Sequence, residues 1–407
     1  MKQFVVYLFL TMFIVCCKKS TDPLVILPPV ADSFVVSVNN GYGSGTYKKG
    51  DTVHIWSKEP IATEIFDTWT GDNTLLNTND WHAWFIMPAR NASFTSNLKT
   101  ITAFSLTFQQ IRGRDRLKPV YYYFPAVHKG FVYLLHGSGG SAQQLTSSFE
   151  TQHIIKELVA DGFAVIITEA EEATTGIDAN GDGKLRWLTF PVDTLTNIDL
   201  ANIKVITDTF YNRNITNRNK QRFSLGMSNG GAYSFILSYA YNYKAGISYC
   251  AQGGAVLASV SNVPFQYCMQ RFDNNENVGP QGNAGALTNS QTLISRGVCS
   301  KYLINDHSPL YPQRFARRSD ISLATSAAIF NEIKNRNFLD QKNYFKGFSS
   351  EIVTAIQLNP AQFPVIASLT INQKAFVLEQ IDCCITDHQF YSDFTKASLK
   401  FLNTQCL

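Results

Sequence analysis

The sequence predicts an α/β protein: a doubly wound, mostly parallel sheet carrying a helical cap insertion and preceded by a small all-β domain. Three observations predict it. From about residue 101, short apolar runs alternate with amphipathic helical patterns, the order that builds a parallel sheet with helices on both faces. Residues 34–98 alternate with period two, as half-buried strands do. Between about 308 and 384 the pattern is helical, with no strand of comparable strength. A chain of 407 residues, 45% hydrophobic, exceeds one typical domain and can fill two cores. Its net charge of +4 comes from scattered Lys and Arg, which argues against a nucleic-acid partner.

The first residues, "MKQFVVYLFLTMFIVCCKKS", set one basic residue before an apolar core from Phe4 to Val15 that is too short to stay as a membrane span. They resemble a bacterial lipoprotein signal peptide over 1–17, with Cys17 rather than Cys16 as the lipidated residue. That resemblance implies export and a lipid anchor in the cell envelope, on the periplasmic side or at the outer surface. Plain secretion with incidental cysteines is the alternative. A polar, proline-containing linker follows over 18–32.

Residues 33–100 form the small β domain, with Phe34, Val36 and Val38 on one face and Val53 and Ile55 after a glycine-rich turn. The runs "VNNGYGSGTYKKGDTVHI", "FDTWTGD" and "FIMPARNASFTSNL" resemble bacterial surface repeats of the internalin B type. Such a module implies a spacer or a weak binder. His54 and His82 lie in it and are assigned packing or surface roles rather than catalysis.

The large domain, 101–407, places strands at 131–135, 163–167, 222–225, 246–251, 265–269 and 302–304. Between them lie amphipathic helices such as 149–160, where Ile154 pairs with Leu158 and Ile155 with Val159 one turn on. The helical insertion spans about 308–384 and is read as a cap. Cys250, Cys268 and Cys299 fall in apolar runs and read as small buried hydrophobes. A bridge from Cys383 or Cys384 to Cys406 is left open.

The chemistry centres on "RFSLGMSNGGAYS". Gly226, Ser228 and Gly230 make a G-x-S-x-G pattern in which a strand ends in a sharp turn and a helix starts directly behind. This is the setting of a strained, exposed nucleophile. The helix start turns free N–H groups and its positive dipole end toward a forming oxyanion. Upstream, "YLLHGSGGSAQQL" supplies the second donor, so the N–H groups of Ser138 and Asn229 are the candidate oxyanion hole, with Gly137 shaping the loop and His136 orienting it. The base must come later in the chain. His388, ahead of a final amphipathic helix, is chosen over its rival His307, which directly follows the last strand. Asp273, ending a proline-led strand two elements beyond the serine, is the candidate acid, and Asp306 its rival. Asp387 is too near His388 in sequence to orient it easily.

These blocks, together with "NIDLANIKVITDTF" and "GISYCAQGG", resemble the α/β-hydrolase superfamily, within it the polyhydroxybutyrate depolymerase and feruloyl or acetylxylan esterase group, over about 120–275. The usual His-Gly pair ahead of the acid is replaced by Met269 and Gln270. The resemblance implies an exported serine hydrolase for carboxylic esters, on a small ester or one linked to a carbohydrate or polyester, working without a required cofactor. A surface glycan- or partner-binding lipoprotein with an inactive hydrolase fold is the contrasting reading, and a serine peptidase on the same fold is a third.

One motif stands apart. "DANGDGKL" spaces Asp178, Asn180 and Asp182 as in the first half of an EF-hand loop and marks a possible structural calcium site. Position twelve is Thr189 rather than Glu, leaving Glu169, Glu171 or Glu172 to complete it, and a metal-free Asx-rich turn explains the same residues.

Overall fold

The computed structural model describes residues 32–406, so the signal segment, Cys17 and the linker up to residue 31 lie outside the described residues. No helix among the described residues is long and apolar enough to cross a membrane.

The N-terminal unit holds two small sheets. One has the order β3 (Gly45–Lys48), β1 (Ser33–Asn39), β7 (Ala92–Thr100), β5 (Glu64–Gly71), and the other β2 (Gly41–Tyr42), β4 (Thr52–Ser57), β6 (His82–Ile86). Alternation along β1 buries Val36 and Val38 beside Val53, Ile55, Phe85 and Phe94. Tyr311, from the insertion, completes this core.

The large domain has one eight-stranded sheet. In spatial order it runs β8 (Thr107–Arg112), β9 (Leu117–Tyr123), β11 (Phe163–Ile167), β10 (Gly130–Leu135), β12 (Gln221–Met227), β13 (Ala245–Tyr249), β14 (Phe265–Gln270) and β15 (Ser300–Asn305). The six strands from β11 to β15 in that row are parallel, while β8 and β9 form an antiparallel hairpin at one edge. Central β10 shows why the sheet is doubly covered. Phe131, Tyr133 and Leu135 face helices Ile198–Asn212 and Asn229–Ala240, whereas Val132 and Leu134 face helices Phe149–Ala160 and Thr395–Thr404. All are fully buried, so each contributes roughly 1.5–3 kcal/mol of transfer free energy.

The insertion keeps a core of its own, built from Ile329, Ile333, Ile352, Phe376 and Ile381 on helices Leu323–Asn335, Ser349–Leu358 and Ile371–Ile385. A buried polar cluster joins it to the rest. Arg317 Nη1 donates to Glu150 Oε1 at 2.8 Å and to Gln380 Oε1 at 2.8 Å, and its guanidinium stacks 3.9 Å over Trp81. The other Glu150 oxygen accepts from Ser392 N–H at 3.0 Å, which pins the loop just beyond His388.

Two expectations change. Cys299 is not a lone buried hydrophobe but is disulfide-bonded to Cys406, while Cys383 and Cys384 are free and buried. The reason is topological: the C-terminal helix docks its end beside the approach to β15, a meeting across 107 residues with no local trace. The predicted strand 246–251 stops at Tyr249, because Cys250 turns the chain at φ 51°.

Candidate active site

The turn after β12 is set by contacts that exclude side chains. A Cβ on Gly226 would lie 2.1 Å from Gly230 O, and one on Gly230 would lie 2.3 Å from His136 O. Between them Ser228 sits at φ 57°, ψ −126°, a sparsely populated conformation for a residue with a side chain. Its N–H donates to Tyr249 O at 2.8 Å, which ties the elbow to β13. Helix Asn229–Ala240 leaves from this point.

His388 and Asp273 meet the serine in one hydrogen-bonded chain. Ser228 Oγ lies 2.8 Å from His388 Nε2, and His388 Nδ1 lies 2.8 Å from Asp273 Oδ2. Since an ionised carboxylate only accepts, Nδ1 carries the proton and Nε2 accepts from the serine hydroxyl. Asp273 is buried, and its other oxygen accepts from Asn275 N–H at 2.9 Å. The acid loop and the histidine loop are sewn together by Asp387, whose Oδ1 accepts from Asn274 N–H at 2.9 Å and His388 N–H at 2.7 Å. Sequence reading set Asp387 aside as an orienter of the imidazole; it holds backbone instead.

The rivals sit elsewhere. Asp306 pairs with Arg271 at 2.8 Å, and His307 packs between Phe272 and Tyr344 with ring centroids 5.1 and 4.8 Å away.

Gly137 brings the upstream loop against the nucleophile: a Cβ there would stand 3.2 Å from Ser228 Cβ. Ser138 and Asn229 line the same cavity as Ser228, and Asn229 N–H opens its helix, where an amide has no acceptor one turn back. His136 lies underneath. Burial lowers its pKa to about 4, its Nδ1–H donates to Gly137 O at 2.7 Å and its Nε2 accepts from Ala170 N–H at 3.1 Å. It shapes the loop rather than moving protons.

Sequence reading missed Trp187. Its indole N–H donates to His136 O at 3.0 Å, its ring stacks on Tyr233, and the Asn229 amide brackets its backbone. This fixes the segment 184–189, which brings Lys184 and Arg186 to the cavity wall. The cavity measures about 830 Å³, and Gln252, Asn275 and Asn277 add further polar groups. No residue of 308–384 is part of its wall; the insertion faces the β module instead.

The EF-hand-like residues form a turn held by their own side chains. Asp178 accepts backbone N–H bonds from Gly181, Asp182 and Gly183, and Asp182 pairs with Arg186. Such bonds make an Asx-rich turn. One group of metal-type side chains among the described residues, Cys250, Asp273 and His388, coincides with the serine chain itself. Burial holds the Cys250 thiol well above its usual range, and it donates to Gln389 O at 3.3 Å.

Strand order, parallel crossovers and the strand–elbow–helix around Ser228 define an α/β-hydrolase fold. No family model matches the chain, and no curated protein matches it in sequence. Among solved structures it is similar to dienelactone hydrolase from Anabaena variabilis, 15% identical, covering 50% of this chain and 87% of that one, with a TM-score of 0.37. It is also similar to a thermostable carboxyl esterase from Bacillus coagulans, 11% identical over 57% of this chain and 99% of that one, TM-score 0.38. A lidless serine hydrolase from Xanthomonas campestris is 14% identical over 51% and 88%, TM-score 0.35. These are likenesses of fold alone.

Proposed function

We propose that this chain is an exported serine hydrolase that cleaves carboxylic esters through an acyl-enzyme. The observation that carries the reading is the unbroken chain Asp273–His388–Ser228, 2.8 Å at each step, opening on a cavity. Ser228 Oγ attacks the ester carbonyl as its proton passes to His388 Nε2, and Asp273 holds the Nδ1–H and stabilises the imidazolium. The N–H groups of Ser138 and Asn229, with Gly137 allowing close approach, receive the developing oxyanion. His388 then protonates the departing alkoxide, and water repeats the sequence to release the acid. The reaction so written requires no cofactor, and the Asp178–Asp182 turn takes no part in it.

The polar cavity wall of Lys184, Arg186, Gln252, Asn275 and Asn277 supports a polar alcohol portion, as in an ester carried by a carbohydrate, over a long alkyl chain. A polyester remains within the proposed substrate class. The N-terminal segment supports lipidation at Cys17 and attachment to the cell envelope. The reading is tested by fluorophosphonate labelling and p-nitrophenyl acetate turnover of the purified chain beside Ser228→Ala. Labelling and turnover are expected in the native chain and absent in the variant; no Ser228-dependent signal in either assay would sink the proposal.

A further inference from the structure

A second cavity, about 540 Å³, lies between the β module and the insertion and shares no lining residue with the cavity of Ser228. From the module come Tyr42, Tyr47, Asp51 and Trp56; from the insertion come Tyr311, Lys342 and Tyr344. Aromatic rings stand on both sides of the wall. Tyr311 lies between Tyr42 and Trp56, with centroids 5.5 and 4.2 Å away, and Tyr42, Tyr47 and Tyr344 are half-buried. Asp51 and Lys342 pair at 2.8 Å, so the charged groups of the wall cancel. The Nε1–H of Trp56 and the hydroxyl of Tyr311, both buried, have no hydrogen-bond partner among the described residues.

We infer that this cavity is a binding site for a neutral saccharide. A pyranose offers an apolar C–H face for an aromatic ring and a rim of hydroxyls that donate and accept at once. That is the complement of the half-buried rings of Tyr42, Tyr47 and Tyr344 beside a carboxylate and an ammonium. An alkyl chain would leave the polar groups unmatched, and a phosphorylated ligand would meet Asp51 beside the one lysine. The site holds the glycan while Ser228 acts elsewhere on it, which rests in part on the esterase reading; binding itself does not.

The test is titration of the full-length chain with xylohexaose, cellohexaose and mannohexaose, read by saturation-transfer NMR and tryptophan fluorescence. At least one hexasaccharide is expected to bind, and Lys342→Ala and Tyr47→Ala to weaken it by about tenfold. p-Nitrophenyl acetate turnover should stay unchanged in both variants, and the melting temperature unchanged in Lys342→Ala. No binding up to about 10 mM overturns the site, as does binding that both variants retain. Binding abolished by fluorophosphonate at Ser228 would place the sugar in the catalytic cavity and also overturn it. If Ser228 proves inert while the variants lose sugar binding, the esterase reading fails and the saccharide site stands.

Discussion

Two aspartate–histidine chains run through this molecule, and they end differently. In one, Asp273 and His388 lead to Ser228 on a strained turn that opens into a cavity. In the other, Asp393 accepts from His82 Nδ1 at 2.5 Å, His82 Nε2 lies 2.9 Å from His54 Nδ1, and His54 Nε2 lies 3.0 Å from the Tyr344 hydroxyl. The second joins module, insertion and C-terminal loop, and His54, His82 and Asp393 are all buried. The same pairing is therefore not sufficient for chemistry. An orienting carboxylate makes a base only where the imidazole's far nitrogen meets an attackable, accessible hydroxyl beside unpaired N–H donors. Tyr344 is a phenol held between module and insertion, not a hydroxyl on a strained turn at the start of a helix.

The largest expected contrast comes from matching substitutions in the two chains. Asp273→Asn should lower kcat for p-nitrophenyl acetate by about 10⁴-fold, because an amide facing Nδ1 favours the wrong tautomer. Asp393→Asn should leave kcat within about threefold yet destabilise folding by about 1–3 kcal/mol through the lost charged hydrogen bond. Steady-state kinetics and denaturant melts on both variants measure this. A catalytic collapse in Asp393→Asn would make the second chain part of the machinery and break the comparison.

The two chains share a support, since Glu150 holds Ser392 between His388 and Asp393. Glu150→Ala leaves buried Arg317 with Glu59, 3.2 Å away, as its remaining carboxylate partner, and should cost about 3 kcal/mol. Asp387→Ala acts more locally. It frees the Asn274 and His388 amides, and the expected effect is a loss of about 10- to 100-fold in kcat while fluorophosphonate still labels Ser228. Equal losses of labelling and turnover would instead mean that the elbow itself had moved.

How much of this could be read from sequence follows from how local each feature is. The elbow around Ser228 was legible, because its glycines answer to contacts within a few residues and to the loop at His136. Strands β10 to β15 announced themselves as continuous apolar runs, since both faces of each are covered. The hairpin β8–β9 did not, because its edge position leaves Phe108 and Leu117 exposed and admits Pro119. His388 was favoured over His307 by the helix behind it, a positional cue that survives a long insertion. The buried cluster left no such cue. His82 and Asp393 are 311 positions apart, and Glu150 and Arg317 are 167 apart. Neither pair belongs to a motif: the first meets where the module docks on the C-terminal loop, the second where the insertion docks on helix Phe149–Ala160. Docking of the module on the insertion likewise made the insertion a wall of the aromatic cavity rather than of the cavity at Ser228.

The smallest effect separates the chains by pH. Burial, with His82 and His307 nearby, holds His54 well below its ordinary value of 6.5, so the folded protein keeps it neutral where the unfolded chain would take a proton. Stability from this group is therefore full above pH 6.5 and declines as the pH falls below it, by up to about 1.4 kcal/mol per unit. His136 adds a decline of the same sign down to about pH 4. Replacing His54 by Gln, which can accept from Tyr344, should remove its share and flatten the melting temperature between pH 6.5 and 5. His136 and His128, whose pKa burial also lowers, would keep contributing slope of the same sign. If the slope is unchanged in His54→Gln, the His54–His82 pair does not distinguish itself by titration, and its role is packing alone.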